Sequence, residues 1–168
     1  MEDLCVFSLT EFPENIRLIG DSKFKTPRLE YEKVPIIILP EGFHDGISMF
    51  GEKKFLNISF SLDKKNNFEK IKRWMNNISE NVMKQVYPFI HEFEGFISMK
   101  VKLPSEFSVI DMDGLETSSF HASYGSKIRC VVEIPCVWEN CDNVGLSIQM
   151  VQCKVLESKK CMINSEII

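Results

Sequence analysis

Two pairs of cations recur at the spacing of an extended strand. Lys100 and Lys102 flank Val101 in F-I-S-M-K-V-K-L (96–103), and Lys127 and Arg129 flank Ile128 in K-I-R-C-V-V-E-I (127–134). A period of two places both members of each pair on one strand face. Phe96 shares the parity of Lys100 and Lys102, and Tyr124 lies just ahead of Lys127. Cations that track phosphates, interleaved with rings that stack on bases, are what a single nucleic-acid strand requires of a protein. The competing reading is that these are the solvated faces of ordinary strands. Trp138, beside Glu139 and Asn140, also has two readings: a plug of the core or an exposed stacking platform. The candidate nucleic-acid-binding residues are therefore Phe96, Lys100, Lys102, Tyr124, Lys127, Arg129 and Trp138.

Other chemistries are poorly supported. The chain has no G-x-S-x-G, P-loop, dinucleotide fingerprint or H-E-x-x-H, and His44, His91 and His121 are far apart. No enzyme and no cofactor is expected. Asp111-Met112-Asp113 could offer alternate carboxylates to a metal, but its place before Gly114 fits a turn better. The six cysteines, at 5, 130, 136, 141, 153 and 161, contain no C-x-x-C pair. Cys130 and Cys153 occupy apolar strand positions, where cysteine behaves as a small hydrophobe, so neither metal nor disulfide is expected.

The formal net charge of −4 argues against coating nucleic acid by charge alone, though a local basic groove remains compatible with it. At 168 residues the chain fits one domain with a sizeable core. Within it, 1–30 reads as an irregular lead-in with a short strand near Ile16–Ile19, and 157–168 as a C-terminal tail. No run approaches the roughly 18 apolar residues of a membrane span. The opening M-E-D-L-C-V-F lacks the basic-then-apolar order of a signal peptide, so the expected location is a cell interior with no membrane partner.

The cations and rings need strands to position them. Between Gly125 and Glu157 two strand-like runs flank the turn-rich E-N-C-D-N-V-G, a hairpin signal. Ile128, Cys130, Val132 and Ile134 share one face, and Val144, Leu146, Ile148 and Met150 another. After Met150 the apolar parity switches to Val151, Cys153 and Val155, which predicts a bulge in a curling sheet. Pro135, which cannot donate to a ladder, is expected near an edge or a strand end. Val34–Pro40 reads as a buried or edge strand, Glu41–Gly51 with its three glycines as a loop, and Lys53–Leu62 as a strand with one polar face. Phe68, Ile71, Met75, Ile78 and Val82 form the stripe of an amphipathic helix over Asn66–Val86, capped by Asn66 and stopped by Pro88, with Trp74 as packing. Gly95–Leu103 alternates again, Phe107–Met112 is a further strand, and Glu116–Tyr124 is a loop. The fold class is mainly β: an OB-fold-like antiparallel barrel with one long helix, expected between the third and fourth strands.

The segments Tyr31–Pro40, Lys53–Leu62 with N-I-S-F-S-L, M-K-V-K-L-P at 99–104, G-S-K-I-R-C-V-V-E-I-P-C-V-W and V-G-L-S-I-Q-M-V-Q-C-K-V resemble, in order, the single-stranded-DNA-binding proteins of nucleocytoplasmic large DNA viruses. The resemblance spans roughly residues 28–156. It implies an oligonucleotide-binding barrel that protects single strands during viral replication inside a host cell, in a cytoplasmic factory or the nucleus. Single-stranded DNA, viral replication proteins and further copies of the chain are the partners it suggests. The rival reading is a viral structural or assembly protein using the same barrel as a protein-interaction module, which the acidic balance favours.

Overall fold

The computed structural model describes residues 5–13, 15–20, 23–29, 34–117 and 122–158. Part of the Glu116–Tyr124 loop, with His121, lies outside the described residues, as do Tyr31 and the tail from 159 onward with Cys161. In chain order, β1 (Cys5–Ser8) runs into a 3-10 turn, and β2 (Arg17–Gly20) and β3 (Phe24–Arg28) form a hairpin. Then come β4 (Pro35–Ile38), β5 (Gly42–Phe50) and β6 (Lys53–Ser61). A 3-10 segment at Leu62–Phe68 leads into α1 (Glu69–Val82), followed by β7 (Gln85–Val86), β8 (Ile90–Phe93) and β9 (Phe96–Leu103). The last strands are β10 (Ser108–Ile110), β11 (Glu116–Thr117), β12 (Lys127–Glu139) and β13 (Asn143–Glu157).

Five of these strands pair in a closed circuit: β12 with β5, β5 with β6, β6 with β9, β9 with β13, and β13 back to β12. All the pairings are antiparallel except β9–β13, which meet in parallel at Gln149 and Lys102. Alternation drives the closure. Leu56, Ile58 and Phe60 of β6, Ile97, Met99 and Val101 of β9, and Ile128, Cys130 and Val132 of β12 all point into one buried cluster. Each such side chain is stabilised by about 1.5–3 kcal/mol on leaving water. The parity switch in β13 is a bulge: Val131 pairs with Gln152 and Val132 with Met150, so Val151 is the extra residue. It lets Met150 and Cys153 both reach the core.

The helix joins the second and third strands of the circuit, β6 and β9, rather than the third and fourth. Ile71, Trp74, Met75 and Ile78 are buried, with the Trp74 ring 5.3 Å from Phe12 and Phe68 edge-on to Phe60 at 5.3 Å. Its ends differ from the sequence expectation. Asn66 falls inside the 3-10 segment, so it caps nothing, and the helix starts after Phe68 with no side-chain cap. Met83, at φ +57°, takes the left-handed conformation and ends the helix before Pro88 can, with the Lys84 amide donating to the Ser79 carbonyl.

Three further expectations are corrected. Glu41–Gly51 is not a loop but contains β5, and its glycines serve that strand. A side chain at Gly42 would sit 2.7 Å from Ile58 Cγ2, Gly46 at φ +97° lies within the register shift between His44 and Ile47, and Gly51 turns the chain into β6. Pro135 lies in the middle of β12, where it falls between the spans paired to β4 (131–133) and β3 (137–138), opposite a register shift against β13. Its missing N–H is thus placed where no ladder partner waits among the described residues. The lead-in holds three strands: β1 adds in parallel to β4, and β3 pairs with the far end of β12.

Candidate nucleic-acid interface

The register of β12, β5, β6, β9 and β8 assembles one outward face. Lys127 pairs with Phe43, Phe43 with Ser59, Ser59 with Ser98, and Ser98 with His91, so one row crosses all five strands. At about 4.8 Å per strand the row runs roughly 19 Å along the curved sheet. On one side of it lie Asn57 beside Lys100, then Ser48, Phe55 and Lys102, then Phe50 beside Lys53. On the other side lie Ser61, Phe96 and Phe93. Aromatic rings and lysines therefore alternate over the same surface.

The rings are available. Phe43 is 44% exposed, Phe93 50% and Phe96 36%, although burial would stabilise each of them. Phe93 and Phe96 lie stacked, centroids 5.0 Å apart and planes 23° from parallel, across the turn made by Gly95 at φ +93°. Among the described residues, Lys100 and Lys102 make no ion pair. Lys127 Nζ and Arg129 Nη2 do: both meet Glu41, at 3.4 Å to Oε2 and 2.9 Å to Oε1. Tyr124 is exposed on the turn that delivers β12, next to Gly125, whose amide donates to the His44 carbonyl.

His44 anchors the β5 edge of this face from behind. It is buried, its amide donates to the Ser126 carbonyl at 2.9 Å, and its Nδ1 accepts from the Gly46 amide at 3.1 Å. Burial pulls the imidazole below its ordinary pKa, against a backbone hydrogen bond within His44 itself and the charge of Asp45, which raise it. The neutral ring with Nδ1 unprotonated is the form that the Gly46 bond requires.

The register thus turns Phe96, Lys100, Lys102, Lys127 and Arg129 to the outside of consecutive strands of the circuit, with Tyr124 just ahead of β12, and it does not bring Trp138 to them. Trp138 lies nine residues beyond Arg129 on β12, up to about 30 Å away along the strand. Its indole covers Gly145, where a side chain would collide with the ring, and it tilts against Tyr87 at 5.4 Å. Lys25 and Lys84 near this corner both pair with Glu139, at 3.8 and 2.6 Å. The Lys84 hydrogen bond, with the charges of Lys84 and Lys25, holds the Glu139 carboxyl below its ordinary range against burial.

Sequence reasoning missed Phe43, because its strand was read as a loop, and Phe93, because β8 is only four residues long. The signal for Phe93 was F-E-G-F, two rings flanking a two-residue glycine turn that sets them opposite each other across a hairpin. The candidate metal residues have other duties. Asp111 Oδ1 accepts from the amides of Asp113 and Leu115, both at 2.9 Å, which makes it a turn carboxylate. Cys130 and Cys153 face each other across β12 and β13 with Sγ atoms 3.9 Å apart. That contact, with burial, pushes the Cys130 thiol well above its usual pKa, so it stays protonated and inert. Among the described residues, no three histidine, cysteine or acidic side chains converge as a metal site would need.

The circuit of five strands, its one parallel pair and the outward ring-and-lysine face define an OB-fold-like domain. No family model matches the chain, and no curated protein matches it. Solved structures do share its fold. The single-stranded-DNA-binding protein from bacteriophage Enc34 superposes with a TM-score of 0.58 at 14% identity, covering 88% of this chain and 92% of that one. The same phage protein in complex with single-stranded DNA gives a TM-score of 0.58 over 88% and 98% of the two chains, again at 14% identity. Bacteriophage T7 gp2.5, a single-stranded-DNA-binding protein, gives 0.58 at 10% identity over 75% and 88%.

Proposed function

We propose that this chain is a non-catalytic, sequence-independent single-stranded-DNA-binding protein that acts in viral DNA replication. The observation that carries the reading is the outward face of β5, β6 and β9. There, Lys100 and Lys102 have no acidic partner among the described residues and stand between exposed phenylalanine rings. Lysines placed this way neutralise phosphates, and the rings stack on bases whatever the sequence. The likeness in fold to phage proteins that bind single-stranded DNA supports the same reading. The sequence resemblance to the single-stranded-DNA-binding proteins of nucleocytoplasmic large DNA viruses supports a viral replication role. It carries the further proposals of a host-cell interior location and of replication proteins and other copies of the chain as partners.

A gel-shift comparison at low salt tests the function. A labelled single strand is expected to shift at protein concentrations where a duplex of the same sequence does not. If neither shifts, the reading fails. The assembly-module alternative, which the net charge of −4 favours, then takes its place.

A further inference from the structure

Glu41 occupies an anion site. It directly precedes β5, two residues from Phe43 and opposite Arg129 when the Ile128–Gly42 register is continued. Its two carboxylate oxygens divide between two cations: Oε1 lies 2.9 Å from Arg129 Nη2 and Oε2 lies 3.4 Å from Lys127 Nζ. A tetrahedral phosphate presents oxygens in a similar way, and an arginine fork accepts either anion. The cluster lies on the same outward face as Phe43, at the opposite end of the strand row from His91.

We propose that Glu41 is an internal phosphate mimic that holds the Lys127–Arg129 anion site until a nucleic-acid phosphate displaces it. The proposal rests on the single-strand-binding reading above and assigns Glu41 the part of limiting that affinity. Its exposure makes the exchange feasible. The Glu41 side chain is 38% accessible and its partners are 33% and 46% accessible, and ion pairs this wet are worth only about 0–1 kcal/mol. A phosphate can therefore replace the carboxylate at small cost. The carboxylate stays tethered nearby after displacement, so the cluster presents one net positive charge rather than two.

Glu41→Gln removes that charge while keeping the shape and a hydrogen-bonding oxygen. It is expected to steepen the dependence of log affinity on log salt by about 0.7, one further phosphate neutralised on a single strand. At 50 mM salt that corresponds to roughly eightfold tighter binding of an oligothymidylate. The gain is expected to vanish when Lys127→Ala and Arg129→Ala are added to Glu41→Gln, since no anion site then remains. A gain that persists without the two cations would show a general charge effect and overturn the proposal. Unchanged affinity and slope for Glu41→Gln, in a protein that binds the oligonucleotide and is weakened by Lys100→Ala/Lys102→Ala, would overturn it too while leaving the functional reading intact. If neither the wild type nor Glu41→Gln binds the oligonucleotide, the functional reading fails and takes this inference with it.

Discussion

Two parts of this protein hold rings and lysines, and they use them in opposite ways. At the Trp138 corner the indole is pressed on Gly145 and Tyr87, while Glu139, only 14% exposed, gathers Lys25 and Lys84. On the outward face of β5, β6 and β9 the phenylalanines stand in solvent, and Lys100 and Lys102 have no acidic partner among the described residues. Residue types alone do not separate the two. What separates them is whether the cations already have a partner and whether the rings already have a floor. The corner reads as structural cement between β3, β7, β12 and β13, and the face as a surface kept open for a polyanion.

The comparison can be broken by substitutions that act on one region and not the other. The largest effect is expected at the corner. Trp138→Ala strips the cover from Gly145 and should lower unfolding free energy by about 3 kcal/mol, toward the low end for tryptophan truncation because the ring is half-buried. Denaturant titration measures this, and the folded variant is expected to bind single strands as the wild type does. A selective loss of binding would move the interface to the corner.

Next in size are the stacked rings. Phe93→Ala or Phe96→Ala is expected to weaken single-strand binding by about 1–3 kcal/mol without changing its salt dependence, since stacking releases no counterions. The double variant should lose less than the sum, because each ring supports the other. Fluorescence anisotropy titrations at two salt concentrations check both statements.

Smaller effects follow from protons. The His44 imidazole has a pKa below its unfolded value, so the unfolded chain binds more protons in that window and stability rises with pH. Its contribution is complete above about pH 6.5 and is lost as pH falls toward the folded value. Glu139 has the same sign at lower pH: its stabilisation is present above the ordinary carboxylate pKa and fades as pH falls through the depressed one. Unfolding midpoints across pH 3–8 are expected to show an upper step that His44→Gln removes and a lower one that Glu139→Gln removes.

Much of this architecture was legible in the sequence because local alternation decides it. Leu56-x-Ile58-x-Phe60 and Ile97-x-Met99-x-Val101 admit one inward face, and the shift after Met150 announced the Val151 bulge. The helix stripe was equally plain. What escaped depends on contacts distant in sequence or on backbone geometry. The glycines at 42, 46 and 51 suggested a loop, yet one admits Ile58 and Phe60 close to the backbone, one lies at a register shift and one makes a turn. Phe43 was lost with that strand. Met83 ending the helix in a left-handed conformation is a choice no residue preference announces. Parity turns each pair of cations to one side of its own strand, but the pairing of Glu41 with Arg129, 88 residues away, has no sequence signal at all. Trp138 was left between two readings because a strand end can face either way, and only the pairing with Gly145 selects its floor.

The most direct test of the open face is the salt dependence of single-strand affinity in the wild type and in Lys100→Ala/Lys102→Ala. If these lysines neutralise two phosphates, the double substitution flattens the plot of log affinity against log salt by about 1.4 and leaves the unfolding midpoint unchanged. A slope that stays the same in a protein that still binds would contradict the assignment of the interface to this face.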